Sequence, residues 1–127
     1  MKEADVALTP IPQAKKPGFL DKSMSLTDML NKNPVSEVVL LRELPPYQDF
    51  LVCGISTQLH QEVVGFDDVI SPDDSDFIAS GLRVKSLIRL GFLAVVPRNK
   101  VIGSIGSISS ARHERLLTTL SNYLVSN

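Results

Sequence analysis

A chain of 127 residues with 43% hydrophobic and 21% charged residues has the composition of one folded domain, which excludes a wholly disordered chain. With a formal net charge of −1 and no long basic run, any phosphate-binding patch must be assembled by folding or by pairing two chains, and the charge balance argues neither for nor against RNA. The single cysteine, Cys53, cannot form an internal disulfide and points to a reducing, cytoplasmic setting. The opening MKEADVALTP lacks the apolar centre of a signal peptide, and no apolar run reaches the length of a membrane span.

The order of elements follows from local pattern. Val6–Leu8 and Ile11 are extended, and Pro10 and Pro12 place an edge or a strand end there. Residues 13–37 read as a long first loop. Within it, Ser25-Leu-Thr-Asp28 has capping-box-like spacing ahead of Met29 and Leu30, and Pro34 stops the short helix so started. Val38–Leu41 and Phe50–Ile55 are apolar runs joined by Pro45-Pro-Tyr-Gln-Asp49, a hairpin whose second strand is apolar on both faces and therefore central; Cys53 reads as a buried residue of that strand. Two short apolar pieces follow, at Val63-Val64 and Val69-Ile70. The acids around them, Asp67, Asp68, Asp73, Asp74 and Asp76, read as a solvated loop, because their spacing is not that of a calcium loop. Ser86–Leu90 and Phe92–Val96 are strand segments with a bend or bulge at Gly91, and Val101–Ile105 is a further strand. Gly103 and Gly106 are turn and bulge positions. From an N-cap at Ser109 or Ser110, residues 109–125 form a helix in which His113, Leu116, Leu117, Leu120 and Leu124 make one face. Arg112 and Arg115 sit early in it, against the helix dipole, and are expected to face solvent. Short strands followed by one helix predict a mainly β fold, a small, strongly bent barrel.

Several chemistries are excluded by pattern. His60 and His113 have no metal-ligand spacing around them, and with one cysteine no structural zinc site is formed. No Walker or dinucleotide glycine fingerprint is present. What remains is a small constellation. Ser56 and Thr57 place two hydroxyls where the central strand leaves the core. Arg89 lies in an apolar strand, on the same face as Leu87 and opposite Ile88 and Leu90. An arginine there either points outward or pairs with a carboxylate; its functional reading is an anion site, since a guanidinium suits a phosphate and the two hydroxyls could share it.

The residues that carry a family resemblance are Ala4-Asp5-Val6, Gly54-Ile-Ser-Thr57, Gly81-Leu-Arg-Val-Lys-Ser-Leu-Ile-Arg89 and Ile105-Gly-Ser-Ile-Ser109 followed by a helix. In order and spacing, residues 38–125 resemble the PemK/MazF family of endoribonuclease toxins. The resemblance implies an SH3-like barrel with a C-terminal helix, one domain over residues 1–127, and dimerisation. It implies metal-independent cleavage of single-stranded RNA or mRNA to a 2′,3′-cyclic phosphate, with no cofactor and no metal. The implied catalytic residues are Arg89, Ser56 and Thr57; Ser86, Lys85 and Lys32 are the implied RNA-binding ones. The implied partners are an antitoxin protein, RNA and, with the antitoxin, operator DNA; no membrane is implied. The family's Lys-x-Arg-Pro segment is not intact: residues 33–37 read Asn-Pro-Val-Ser-Glu, and Gly91 stands where some members have aspartate. Glu37, Glu43 and His60 are general-base candidates by residue type. The alternative is a catalytically inactive barrel of the same kind that binds nucleic acid or protein.

Overall fold

The computed structural model describes residues 1–11 and 34–126. Its strands are β1 (Asp5–Pro10), β2 (Val35–Leu44), β3 (Asp49–Ser56), β4 (Asp68–Ile70), β5 (Ser86–Val96) and β6 (Gly103–Ser107). They form one antiparallel sheet in the order β4-β5-β3-β2-β1-β6. The helices are α1 (Phe77–Ser80) and α2 (Ser110–Val125).

Alternation along β2 explains why this sheet curls rather than lies flat. Val39 and Leu41 join Val6, Cys53, Ile88 and Leu90 in one core, capped by Leu116 and Leu120 of α2. Val38 and Leu40 point the other way, to a second core with Ala7, Phe50, Val52, Val96 and Val101. With both faces apolar, the sheet must bend to cover the inner one itself. The burial of each large side chain contributes roughly 2 kcal/mol to this. Register shifts supply the bends. In β5, Leu93 pairs with Cys53 and Arg89 with Gly54, which leaves Leu90, Gly91 and Phe92 as extra residues on that strand. The Phe92 ring lies against Gly54, where a Cβ would come within 2.7 Å of it.

The open side between β4 and β6 is closed by α1 and the turn after it. A Cβ on Gly106 of β6 would collide with the Ala79 carbonyl oxygen and with Ser80. A Cβ on Gly81 would collide with the Ile105 carbonyl oxygen. The architecture is thus a curled six-stranded half-barrel with one C-terminal helix.

Several predicted elements take different bounds. Residues 35–37 belong to β2 rather than to the first loop, and the short helix expected around Ser25–Leu30 lies outside the described residues. The last strand is Gly103–Ser107, shifted from Val101–Ile105, because Val101 turns into the second core while β6 pairs with β1. Val63 and Val64 are exposed turn residues. Ser109 is the N-cap of α2, its hydroxyl accepting from the Arg112 N–H at 3.1 Å. Leu124 is 70% exposed, past the end of the core that Leu116 and Leu120 reach.

The largest correction concerns charge. Arg112 does not face solvent, and the acidic loop is not simply solvated. The Arg112 guanidinium is buried and bound by Asp76, Asp74 and Asp68, and its Nη1 also donates to the Val69 carbonyl oxygen at 3.1 Å. Arg115, exposed, shares Asp68 at 2.9 Å. Helix α2 is therefore fixed by Leu116 and Leu120, by His113, whose Nε2 lies 2.8 Å from the Leu41 carbonyl oxygen, and by one guanidinium reaching under the β4–α1 segment. Among the described residues no helix is long and apolar enough to cross a membrane.

Candidate functional site

Two segments that are distant in sequence meet at one end of the sheet. The pairing Val38↔Gly54 puts Glu37, one step further, beside Ile55, and Ile55 itself pairs with Ile88 of β5. Leu8 of β1 pairs with Glu37 from the other side. This row ends where β3 emerges as Ser56-Thr57. The Gly81–Ser86 segment, which leads into β5, covers it from above, with Ile105 of β6 beside Gly81. Gly81 has φ of 77° and closes α1, a left-handed C-cap that suits glycine.

The result is a cleft of about 380 Å³. Its polar lining is Glu37, Ser56, Thr57, Arg83 and Ser86. Leu8, Ile55, Leu82 and Ile105 are among its apolar walls. The hydroxyls are not equivalent. Ser86 donates to the Val84 carbonyl oxygen at 2.8 Å, so its proton is engaged. Ser56 accepts from the Gln58 N–H at 3.0 Å and donates to no acceptor among the described residues, so its proton can meet a ligand oxygen. Glu37, Thr57 and Arg83 are exposed and make no side-chain hydrogen bond or ion pair among the described residues. The cleft thus presents one guanidinium, one carboxylate and donor hydroxyls.

The structure brings three of the sequence-predicted residues together, Ser56, Thr57 and Ser86. It places Arg89 elsewhere. Arg89 pairs in register with Gly54 and is absent from the cleft lining. Its Nη1 donates to Gln61 Oε1 at 3.2 Å, in the turn just after Thr57, and its Nε is buried without a partner among the described residues. Lys85 is exposed beside the cleft but does not line it, and Lys32 lies outside the described residues. Of the general-base candidates, Glu43 is paired with Arg98 at 2.8 Å and His60 is exposed outside the lining; Glu37 alone lines the cleft. Arg83 was visible only as a variable position inside the Gly81–Arg89 motif. Nothing in the local pattern separates its role from that of Arg89.

No protein-family model matches the sequence, and no curated protein matches it significantly. The site is therefore read from its geometry.

Among the described residues, a second polar cleft of about 330 Å³ lies between Asp74, Asp76, Arg112 and Arg115, but the Arg112 guanidinium there is already held by Asp68, Asp74 and Asp76. The Cys53 thiol is fully buried, and desolvation pushes its pKa up to about 12, so it is no nucleophile at neutral pH. Among the described residues no group of three His, Cys, Asp or Glu side chains is placed to hold a metal ion. A larger groove of about 870 Å³ lies between the Val63–Phe66 turn, the β5 bend and the end of α2. Its lining carries no charged side chain.

Proposed function

We propose that this protein is a PemK/MazF-like toxin that cleaves single-stranded RNA in the Ser56–Arg83 cleft, without a metal, and is held inactive by an antitoxin protein. One observation carries the reading. Two of the motif segments on which the resemblance rests, Gly54–Thr57 and Gly81–Arg89, converge on the same cleft through Ile55–Thr57 and Gly81–Ser86; they furnish it with the motif hydroxyls of Ser56, Thr57 and Ser86, while the guanidinium there is that of Arg83 rather than of the motif's Arg89. Those groups suit a phosphodiester. A guanidinium can bind two phosphate oxygens at once, and a charge-assisted hydrogen bond is worth roughly 1.5–3 kcal/mol. The Ser56 proton is free to join it.

The reaction so supported is attack of a ribose 2′-oxygen on the adjacent phosphorus, with loss of the 5′-oxygen. Positive charge and donor hydroxyls stabilise the phosphorane most where they are already oriented. One cation is a sparse RNA groove for a chain of net charge −1, so pairing of two copies, which brings two clefts' guanidinia to one RNA strand, is part of the proposal. A second reading, a binding module on the same barrel, is favoured by the carboxylate in the cleft, which opposes tight phosphate binding.

Incubation of purified protein with an mRNA transcript in EDTA separates the two. Discrete fragments ending in 2′,3′-cyclic phosphate are expected, together with growth arrest when the protein is expressed alone. Intact RNA in the presence of folded protein would leave the binding module as the reading.

A further inference from the structure

We infer that Glu37 is the proton acceptor of the cleft and Arg83 the charge that faces the phosphate; the inference rests on the RNA-cleaving reading above. Metal-independent cleavage by the 2′-oxygen requires a group that takes the 2′-hydroxyl proton at neutral pH. The polar lining consists of Glu37, Ser56, Thr57, Arg83 and Ser86. Serine and threonine hydroxyls do not accept a proton at neutral pH, and arginine stays protonated. That leaves the carboxylate. Sequence position alone made Glu37 one of three candidates, and the fold removes the other two from the cleft.

The placement of Glu37 is set by backbone pairing and does not depend on a flexible loop. Its neighbours in the ladder are Leu8 of β1 on one side and, one step beyond Val38↔Gly54, Ile55 on the other. The residues after Ile55 on β3 and the next turn are Ser56 and Thr57. The carboxylate and the hydroxyls are therefore anchored to adjacent strands. Arg83 enters from the Gly81–Ser86 segment above and is the one other charged side chain in the lining. No ion pair ties Glu37 to Arg83 among the described residues, so each is free to meet a different part of the substrate.

The step balances as follows. The Glu37 carboxylate takes the proton of the 2′-hydroxyl while the 2′-oxygen forms a bond to phosphorus. Arg83 and the Ser56 hydroxyl stabilise the oxygens of the phosphorane. The bond from phosphorus to the 5′-oxygen breaks, and the departing alkoxide takes a proton from water. The hydroxide so formed removes the proton from Glu37, which returns to the carboxylate. The products are a 2′,3′-cyclic phosphate and a free 5′-hydroxyl.

The test compares the full-length wild-type protein with Glu37→Gln. Three quantities are measured: the initial rate of transcript cleavage in EDTA, its dependence on pH, and the affinity for a uniformly 2′-O-methylated copy of a fragment that the wild type cuts. Glu37 is exposed, so the substitution leaves the fold in place. Cleavage is expected to fall by a factor of about 10²–10⁴, the rise of rate on the acid side of the profile is expected to disappear, and affinity for the methylated RNA is expected to stay the same or tighten. Glu37→Asp is expected to recover part of the rate. Cleavage by Glu37→Gln within about threefold of wild type, or a loss of binding that matches the loss of rate, overturns the assignment of Glu37 while leaving the RNA-cleaving reading intact. A wild-type protein that cuts no RNA overturns that reading, and the role of Glu37 with it.

Discussion

The Arg112 guanidinium grips the Asp76 carboxylate at two points, Nε to Oδ2 at 2.8 Å and Nη2 to Oδ1 at 3.0 Å, with both side chains about 7% exposed. Asp76 Oδ2 also accepts from the Ser109 N–H at 2.9 Å, so one carboxylate serves both the start of α2 and its first inward-facing charge. Burial alone would work against the charge on Arg112, but hydrogen bonds to Asp76 and Asp68 outweigh it and hold the guanidinium's pKa above its ordinary value.

Breaking this pair is expected to be costly because the partner stays behind. Arg112→Ala leaves the Asp76 carboxylate buried with no cation beside it, and loss of about 3–5 kcal/mol is expected. Arg115→Ala removes a half-exposed cation from Asp68 and should cost less than about 1 kcal/mol. Urea unfolding of the two variants at neutral pH measures the difference. Equal effects would mean that the buried Arg112–Asp76 pair holds α2 no more firmly than the exposed Arg115 contact does.

The same pair sets an acid limit on stability. The Arg112 hydrogen bond, working against desolvation and helped by the Ser109 N–H, lowers the Asp76 pKa from 3.8 to about 2. A carboxyl whose folded pKa is depressed stabilises the fold above its unfolded value and loses that contribution as the pH falls through the folded one. Asp76 should therefore contribute about 2 kcal/mol above pH 4, declining as the pH approaches 2. Asp74 is shifted in the same direction, by the Ser71 N–H first and Arg112 second. Asp76→Asn should lower stability at pH 7 and flatten its fall between pH 4 and pH 2, as read by chemical denaturation across that range.

This network marks where sequence reading ran short. The β2–β3 hairpin, the bulge at Gly91 and the Ser109 cap are local patterns, and the fold carries all three. Arg112 and Asp76 are far apart in the chain, and each alone looks like a surface charge; only the return of α2 over the β4–α1 segment brings them together. Strand β6 is similar. Its Gly-Ser-Ile-Gly-Ser sequence has little strand preference, and pairing with β1 makes it a strand. In the cleft, Ser56 and Thr57 were legible because they stand where a strand leaves the core, and Ser86 only through the motif of the resemblance. The choice between Arg83 and Arg89 was not, because it depends on which side of β5 the covering segment lies.

Glycines at the α1–β6 seam should be intolerant of any side chain. An added Cβ meets backbone at Gly81 and at Gly106, and the positive φ of Gly81 adds strain. Gly81→Ala and Gly106→Ala are each expected to lower stability by about 2 kcal/mol or more, in the range of overpacking and φ-strain effects. Gly103, also in β6, has nothing within 4 Å of its would-be Cβ. Gly103→Ala should be close to neutral in thermal unfolding. Gly81 also lines the cleft, so on the proposed reading Gly81→Ala should impair RNA cleavage even under conditions where it stays folded.

Arg83 and Arg89 make opposite predictions for activity and for folding. Arg83 is exposed, lines the cleft and has no partner among the described residues, so Arg83→Ala removes a charge that no described side chain uses. On the proposed RNA-cleaving reading, cleavage should fall by about two orders of magnitude, as expected for loss of one oriented cation at a phosphorane, and stability should change by less than about 0.5 kcal/mol. Arg83→Lys should restore part of the rate but not the bidentate grip. Arg89 lies partly buried, donating to Gln61 with its Nε unpartnered. Its truncation should mainly loosen the turn that follows Thr57, with a severalfold effect on rate. Measuring cleavage and unfolding for both variants decides the matter. If the protein cuts RNA as proposed but Arg89→Ala abolishes cleavage with no loss of stability while Arg83→Ala cuts normally, the phosphate lies on the Arg89 side of β5 and not in the cleft.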